Sequence, residues 1–343
     1  MMKRILKYTV ALLLMSFPLM AQDIHFSQFF MAPLNMSPAY MGVISHSEAN
    51  LNYKTQWRTV TVPYKTFGAS VSSRINSKRN QFSNKGYDAV GVGFYNDVAG
   101  DGSFGSLQVS GNFAHHFQIS RNITIGAGLM AGLGQRSIDN TKFQTGAQYS
   151  SGSYQSGLST GENFVNQRKL FFDGGAGIVL HRQEVKSRNR PQHDQSLRFT
   201  LGITAFHINQ PSISFLGSGE KLYIRYLTFG MAEFPLGTSS VSLVPAYQLS
   251  FQGPSTELVF GGLVRYSIRQ GTAFTGLSQS KAVALGVFHR LKDAISVTAL
   301  LEFDRYGLGL CYDINTSSLT LASQGRGGME VSIRVRNPFH VNP

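Results

Sequence analysis

Apolar side chains recur at every second position along several stretches of this chain. After residue 21, no unbroken apolar run reaches the ~18 residues that a membrane-crossing helix needs. Between 107 and 118, Leu107, Val109, Phe113 and Phe117 alternate with Gln108, Ser110, Asn112, His116 and Gln118. From 123 to 134, Ile123, Ile125, Ala127, Leu129, Ala131 and Leu133 alternate with Thr124, Gly126, Gly128, Met130, Gly132 and Gly134. Near the C-terminus, Met329, Val331, Ile333 and Val335 alternate with Glu330, Ser332, Arg334 and Arg336. A helix would show a stripe at three-to-four spacing, whereas period two puts each set on its own face of a strand. A charge facing lipid near the bilayer midplane costs roughly 2–4 kcal/mol, so the charged set must face inward. Composition agrees: charged residues are 14% and aromatics 12%, with 36 glycines, against about 25% charged in soluble domains.

The fold class is therefore all-β: one antiparallel transmembrane β-barrel of about 14 strands. Strands are predicted near 48–58, 64–74, 87–97, 104–117, 122–134, 170–181 and 196–207, then near 222–234, 239–251, 256–268, 281–290, 294–303, 306–315 and 328–336. An even count brings both ends of the barrel out on the periplasmic side. The Ser/Gly/Gln-rich stretch 135–169 then falls outside the cell, with no strand legible in it. Two basic loops, 75–86 (Lys78, Arg79, Lys85) and 182–195 (Arg182, Lys186, Arg188, Arg190), fall on the periplasmic side and are long for that side. The barrel is expected over 48–336, with a short tail at 337–343.

The N-terminus has the three-part layout of a secretory signal. Lys3, Arg4 and Lys7 precede an apolar run from Tyr8 through Leu19, and Leu19-Met20-Ala21 ends on a small residue. Cleavage is expected after residue 21, followed by a periplasmic N-terminal segment over 22–47. Phe26, Phe29 and Phe30 would pack this segment under the barrel or into its lumen, as a plug or docking strap. The one cysteine, Cys311, allows neither an internal disulfide nor a thiol–metal cluster.

The opening of the mature chain reads Gln22-Asp23-Ile24-His25-Phe26-Ser27-Gln28-Phe29, then Pro33-Leu34-Asn35-Met36-Ser37-Pro38-Ala39-Tyr40-Met41-Gly42. Tyr53, Gln56-Trp57-Arg58, Tyr64, Asp97-Val98-Ala99-Gly100-Asp101-Gly102 and Gly126, Gly128, Gly132, Gln135, Ile138 and Asp139 follow. Together these resemble the PorP/SprF family of type IX secretion system membrane proteins, over most of the first 140 residues and more loosely beyond. The resemblance implies a non-enzymatic outer-membrane component of a secretion and gliding apparatus. It would support export or surface anchoring of a large adhesin-type cargo by its C-terminal sorting domain. A periplasmic lipoprotein or ring component would join it from below. The residues expected to meet partners are His25, Phe26, Gln28, Phe29, Gln56, Trp57, Arg58, Asp97 and Asp101.

Asp23, His25 and Ser27 are too close in sequence to form a hydrolytic triad without a special fold, so no catalytic residue and no cofactor is expected. Trp57 suits an interfacial aromatic anchor as well as a cargo contact. Asp97–Gly102 lacks the ligand count of a calcium loop and reads as a turn. His115 and His116, adjacent on a strand, point to opposite faces and cannot share a metal, and His207 and His289 have no partner at ligand spacing. Lys and Arg are scattered rather than gathered on one element, which argues against nucleic acid despite a pI near 9.9. Inward Arg198, Arg225, Arg265 and Arg290 are expected to pair with Glu233, Glu302 and Asp304. Such an arginine-lined interior also fits the alternative function, a diffusion channel or small-solute transporter.

Overall fold

The computed structural model describes residues 23–57, 62–75, 86–100, 102–120, 122–139, 144–150, 152–161, 167–183, 197–215, 219–236, 240–269, 280–317 and 320–337. Its strands close into one antiparallel barrel. They are β1 (Ser47–Gln56), β2 (Tyr64–Arg74), β3 (Tyr87–Ala99), β4 (Phe104–Ser120), β5 (Ile123–Ser137), β6 (Arg168–Gln183) and β7 (Arg198–Phe206). The circle continues through β8 (Arg225–Pro235), β9 (Val241–Gln252), β10 (Ser255–Arg269), β11 (Lys281–Arg290), β12 (Ala294–Phe303), β13 (Tyr306–Asn315) and β14 (Arg326–Asn337). Each strand pairs with its sequence neighbour, and β1 closes on β14 in register from Ser47↔Asn337 to Gln56↔Gly328. Closure leaves no edge strand around the body of the barrel, so its ladder N–H and C=O groups find partners within the sheet, as hydrocarbon requires.

Polarity is inverted relative to a soluble protein. On β1, Asn50, Asn52 and Lys54 are buried while Leu51 and Tyr53 are 47% and 45% exposed. On β14, Glu330, Ser332 and Arg334 are buried while Met329 and Ile333 face out. The outward rows of Leu, Val, Ile and Phe would be an aggregation surface in water and are the lipid face in a bilayer.

Several strands outrun their predicted ends: β5 continues to Ser137, and β6 runs from Arg168 to Gln183. Their ends pass beyond the apolar stretch, where alternation fades but pairing continues. Conversely, β1 stops at Gln56 because Trp57 turns left-handed (φ 54°), and β7 stops before His207 (φ 57°). The stretch read as loop over 135–169 contains a small hairpin, Tyr149–Ser150 with Ser153–Tyr154. Most of the two basic loops, with Lys78, Arg79, Lys85, Lys186, Arg188 and Arg190, lies outside the described residues, as do the signal and cleavage positions.

Residues 23–46 lie in the lumen, not beneath it. Three short helical turns, Phe29–Met31, Pro33–Met36 and Pro38–Tyr40, carry them. Pro33 and Pro38 each open a turn, where proline's missing N–H costs nothing. Phe29, Phe30, Met31, Met36, Ala39, Tyr40 and Val43 form one apolar cluster with inward Leu227, Phe229, Leu263, Phe288 and Leu300. On the opposite wall the backbone itself is the contact surface. A Cβ on Gly128 would sit 2.4 Å from the Ala39 nitrogen, and one on Gly177 would sit 2.4 Å from Ser37 Oγ. Leucine at Gly128 would force the 38–40 turn off the wall, at a cost of about 1–3 kcal/mol. Gly128→Leu is therefore expected to lower the urea midpoint of the protein in phospholipid vesicles. Gly146→Leu, where no described residue lies within 4 Å of an added Cβ, should leave that midpoint unchanged.

Candidate functional site

The segment runs the length of the barrel interior and is anchored at three levels. The deepest anchor lies near the mouth opposite the chain's entry into β1. There Asp23 contacts His207 Nε2 at 2.5 Å, and His207 Nδ1 reaches Asp173 at 2.9 Å. Arg136 and Arg225 each approach Asp23 to 3.7 Å. An imidazole can donate from both nitrogens only when protonated. Burial alone would favour neutral His207, but the Asp23 and Asp173 carboxylates outweigh it and raise its pKa to about 9. Burial likewise opposes the Asp23 carboxylate, yet His207, Arg225 and Arg136 together hold its pKa well below the usual range.

The middle anchor holds the backbone. The N–H groups of Ser27 and Gln28 donate to the two oxygens of Glu330, at 2.7 and 3.0 Å. Ser27 Oγ donates to Asp313 at 2.7 Å and accepts from Arg290 Nη1 at 3.1 Å. Arg290 also binds Asp313 at 3.0 Å, and Lys54 lies 3.7 Å from the same carboxylate. Gln28 donates to Ser332 and Asn52 donates to the Met31 carbonyl. At the third anchor, beside the start of β1, the Gly42 carbonyl accepts from Arg74 and from the Tyr87 hydroxyl at 3.0 Å.

Of the residues expected to meet partners, His25, Phe26, Gln28 and Phe29 face the barrel's own wall. Phe26 packs near Tyr95, and Phe29 sits edge-on to Phe288. His25 lies 3.7 Å from Glu257; burial is the main cause of its pKa falling to about 4, so the contact is between a neutral ring and a carboxylate. Gln56, Trp57 and Asp97 lie elsewhere, toward the mouth where β1 ends and β3 turns. Trp57 packs edge-on to Tyr64, and Asp97 accepts from Thr66 at 2.6 Å. Arg58 and Asp101 lie outside the described residues. Asp23, His25 and Ser27 do not converge: each goes to a different wall partner.

Arg198 and Arg265 pair with Glu233, and Arg265 also with Glu302, as the sequence suggests. Arg225 and Arg290 instead take Asp23 and Asp313. His207, which has no partner at metal-ligand spacing in the sequence, is the centre of the deepest anchor. Asp173 lies on a strand expected from the sequence, but nothing local links it to His207, 34 residues later, or to Asp23, 150 earlier. His116 is buried and His115 outward, on opposite faces of β4. Among the described residues, no three His, Cys, Asp or Glu side chains gather into a metal-binding group.

A family model described as type IX secretion system membrane protein PorP/SprF matches residues 19–335. Among solved structures, the chain is similar to the Ralstonia pickettii toluene transporter TbuX. That match has 11% identity and a TM-score of 0.50, covering 89% of this chain and 93% of that one. A monoaromatic hydrocarbon channel, the TodX deltaS2S3 mutant, gives 9% identity and a TM-score of 0.46 over 90% and 94% of the two chains. At these identities the likeness is one of barrel architecture. No curated protein matches.

The deepest anchor sets a pH dependence. Because the His207 pKa is raised on folding, its contribution is complete below about pH 6.5 and is lost as pH rises through about 9. Asp23 has a lowered pKa, so its contribution is present above about pH 4 and fades as acid protonates it. His207→Gln is expected to destabilise the barrel at pH 7 by on the order of 3 kcal/mol. In urea unfolding followed by circular dichroism, its deficit relative to wild type should shrink as pH is raised through 9.

Proposed function

Because this chain belongs to the PorP/SprF family of type IX secretion system membrane proteins and is a barrel of the outer membrane, we propose that it serves that machinery as a non-enzymatic scaffold. It supports export or surface anchoring of a large adhesin-type cargo, engaged by the cargo's C-terminal sorting domain. On the periplasmic side it joins a lipoprotein or ring component of the apparatus. The observation that carries this reading is the occupied lumen. Residues 23–46 are tied to the wall by Glu330, Asp313, His207 and Arg74, an arrangement suited to holding a shape rather than passing solutes.

In this reading the mouth bearing Gln56, Trp57 and Asp97 faces outward and meets cargo; Arg58 and Asp101, outside the described residues, are proposed as further cargo contacts. His25, Phe26, Gln28 and Phe29 hold the plug, and through it the periplasmic mouth where residues 42–46 emerge. Residues 1–21 serve in this reading as a leader removed on export, from their charged start and apolar run.

The competing reading, a diffusion channel, makes a different electrical prediction. Purified wild-type protein in planar bilayers is expected to conduct little, whereas a variant lacking residues 23–46, if it inserts, should show large steps. Affinity purification from native outer membranes in mild detergent should recover a cargo C-terminal fragment or a periplasmic lipoprotein. Recovery of the barrel alone, together with large wild-type conductance, would turn the assignment to a channel. Normal display and secretion of surface proteins in a gene deletion would count equally against the scaffold.

A further inference from the structure

The lumen is filled unevenly. Residues 34–42 lean on the glycine-bearing wall of β2–β6, and a cavity of about 240 Å³ remains on the other side. Its floor is apolar, formed by Phe30, Leu263, Phe288 and Leu300 with Tyr40 beside them. Its rim is a chain of ion pairs near the end where β1 begins and β14 ends. Arg198 meets Glu233 at 2.6 Å, Arg265 meets Glu233 at 3.5 Å and Glu302 at 2.7 Å, and Arg334 meets Glu302 at 3.3 Å. Arg336 closes the chain on Glu48 at 2.8 Å.

Two features of this cavity call for a ligand. First, the rim sets four guanidiniums against three carboxylates, which leaves one positive charge in excess among them. Arginine presents a planar fork of donors suited to carboxylate oxygens. Second, Tyr40 lines the cavity and is 4% exposed, and among the described residues its hydroxyl has no hydrogen-bond partner. Buried hydroxyls are nearly always paired.

We propose that this vestibule binds a monocarboxylate with a compact apolar body, the carboxylate on the arginine rim and the body on the Phe30–Leu263–Phe288 floor. An engineered apolar cavity of roughly 150 Å³ accepts benzene, so this one holds a ring and a short linker. A free aryl or alkyl acid and the apolar C-terminal residue of a peptide share this chemistry. The site is independent of the secretion role and stands or falls separately from it.

The test is equilibrium dialysis of the full protein, in nanodiscs of neutral phosphatidylcholine, against radiolabelled 4-phenylbutyrate, with protein-free nanodiscs subtracted. Saturable binding of one molecule per barrel is expected. The neutral alcohol 4-phenylbutanol should bind at least tenfold more weakly, and acetate should not compete. Leu263→Trp fills the floor and leaves every rim pair in place, and should reduce binding at least tenfold. Ala284→Leu makes the same test with a smaller intrusion if the tryptophan variant does not fold. Arg198→Gln, at the rim's exposed end, should weaken the acid severalfold and leave the alcohol unchanged. Competition by a short peptide ending in phenylalanine, but not by its C-terminal amide, would identify a peptide source. Competition by small acids alone would identify a free one. Absence of saturable binding, equal binding of the alcohol, or unchanged binding in both filled variants would overturn the proposal.

Discussion

Asp313 and Glu330 are two carboxylates on the inward face of adjacent strands, shielded by a wall whose other face is lipid. A buried charge is tolerated only with partners, and most of the partners here come from elsewhere in sequence. Asp313 takes Arg290, Lys54, Ser296 and Ser27; Glu330 takes the backbone N–H groups of Ser27 and Gln28. The barrel wall and the luminal segment are thereby mutually necessary. Without the segment, Glu330 would lose both its backbone donors. Without the wall, residues 23–46 have turns too short to persist alone. The inverted polarity and the filled lumen follow from one requirement, that buried charges be compensated on the inner side of a single-layer sheet.

This explains why the barrel was legible in the sequence and its contents were less so. Alternation is a local property: Met329 and Glu330 differ in facing because successive side chains point to opposite sides of a pleated strand, and no distant residue is needed to know it. The strands were therefore found nearly at their true places. Their ends were missed where the deciding event was a backbone one, such as the left-handed turn at Trp57, or where pairing outlasted the apolar pattern, as at Ser137. Phe26, Phe29 and Phe30 signalled burial. Their route did not show, because the partners of Asp23 and Ser27 lie 184 and 303 residues away in the chain. His207 illustrates the limit well. It was judged for metal spacing and found alone, whereas its two carboxylates were of a kind that only closure brings together.

Glycine distribution determines where the segment lies. Gly68, Gly91, Gly126, Gly128 and Gly177 all present bare backbone to residues 26–41 or to the side chains beside them. Their strands, β2 to β6, form one continuous arc of the wall. The facing arc, from β8 to β12, carries Phe229, Leu263, Phe288 and Leu300 instead. A segment drawn against the arc where these glycines lie leaves space before the arc that carries Phe229, Leu263, Phe288 and Leu300. The asymmetry of one residue type around the barrel thus fixes both the path of the plug and the position of the cavity.

The same asymmetry separates two electrostatic regions. Around Asp23, Asp313 and Glu330 the segment itself supplies part of the compensation, so these charges are linked to its presence. The arginine–glutamate chain from Arg198 to Arg334 finds its paired carboxylates within the wall, and the segment residues that share its cavity are Phe30, Tyr40 and Ile44. Withdrawal of the segment would strip Glu330 of its donors and leave Arg198–Glu233 and Arg265–Glu302 intact. The ion pairs near the chain termini can therefore persist while the Asp23 anchor at the opposite mouth is released, although Arg74 and Tyr87 would lose the Gly42 carbonyl.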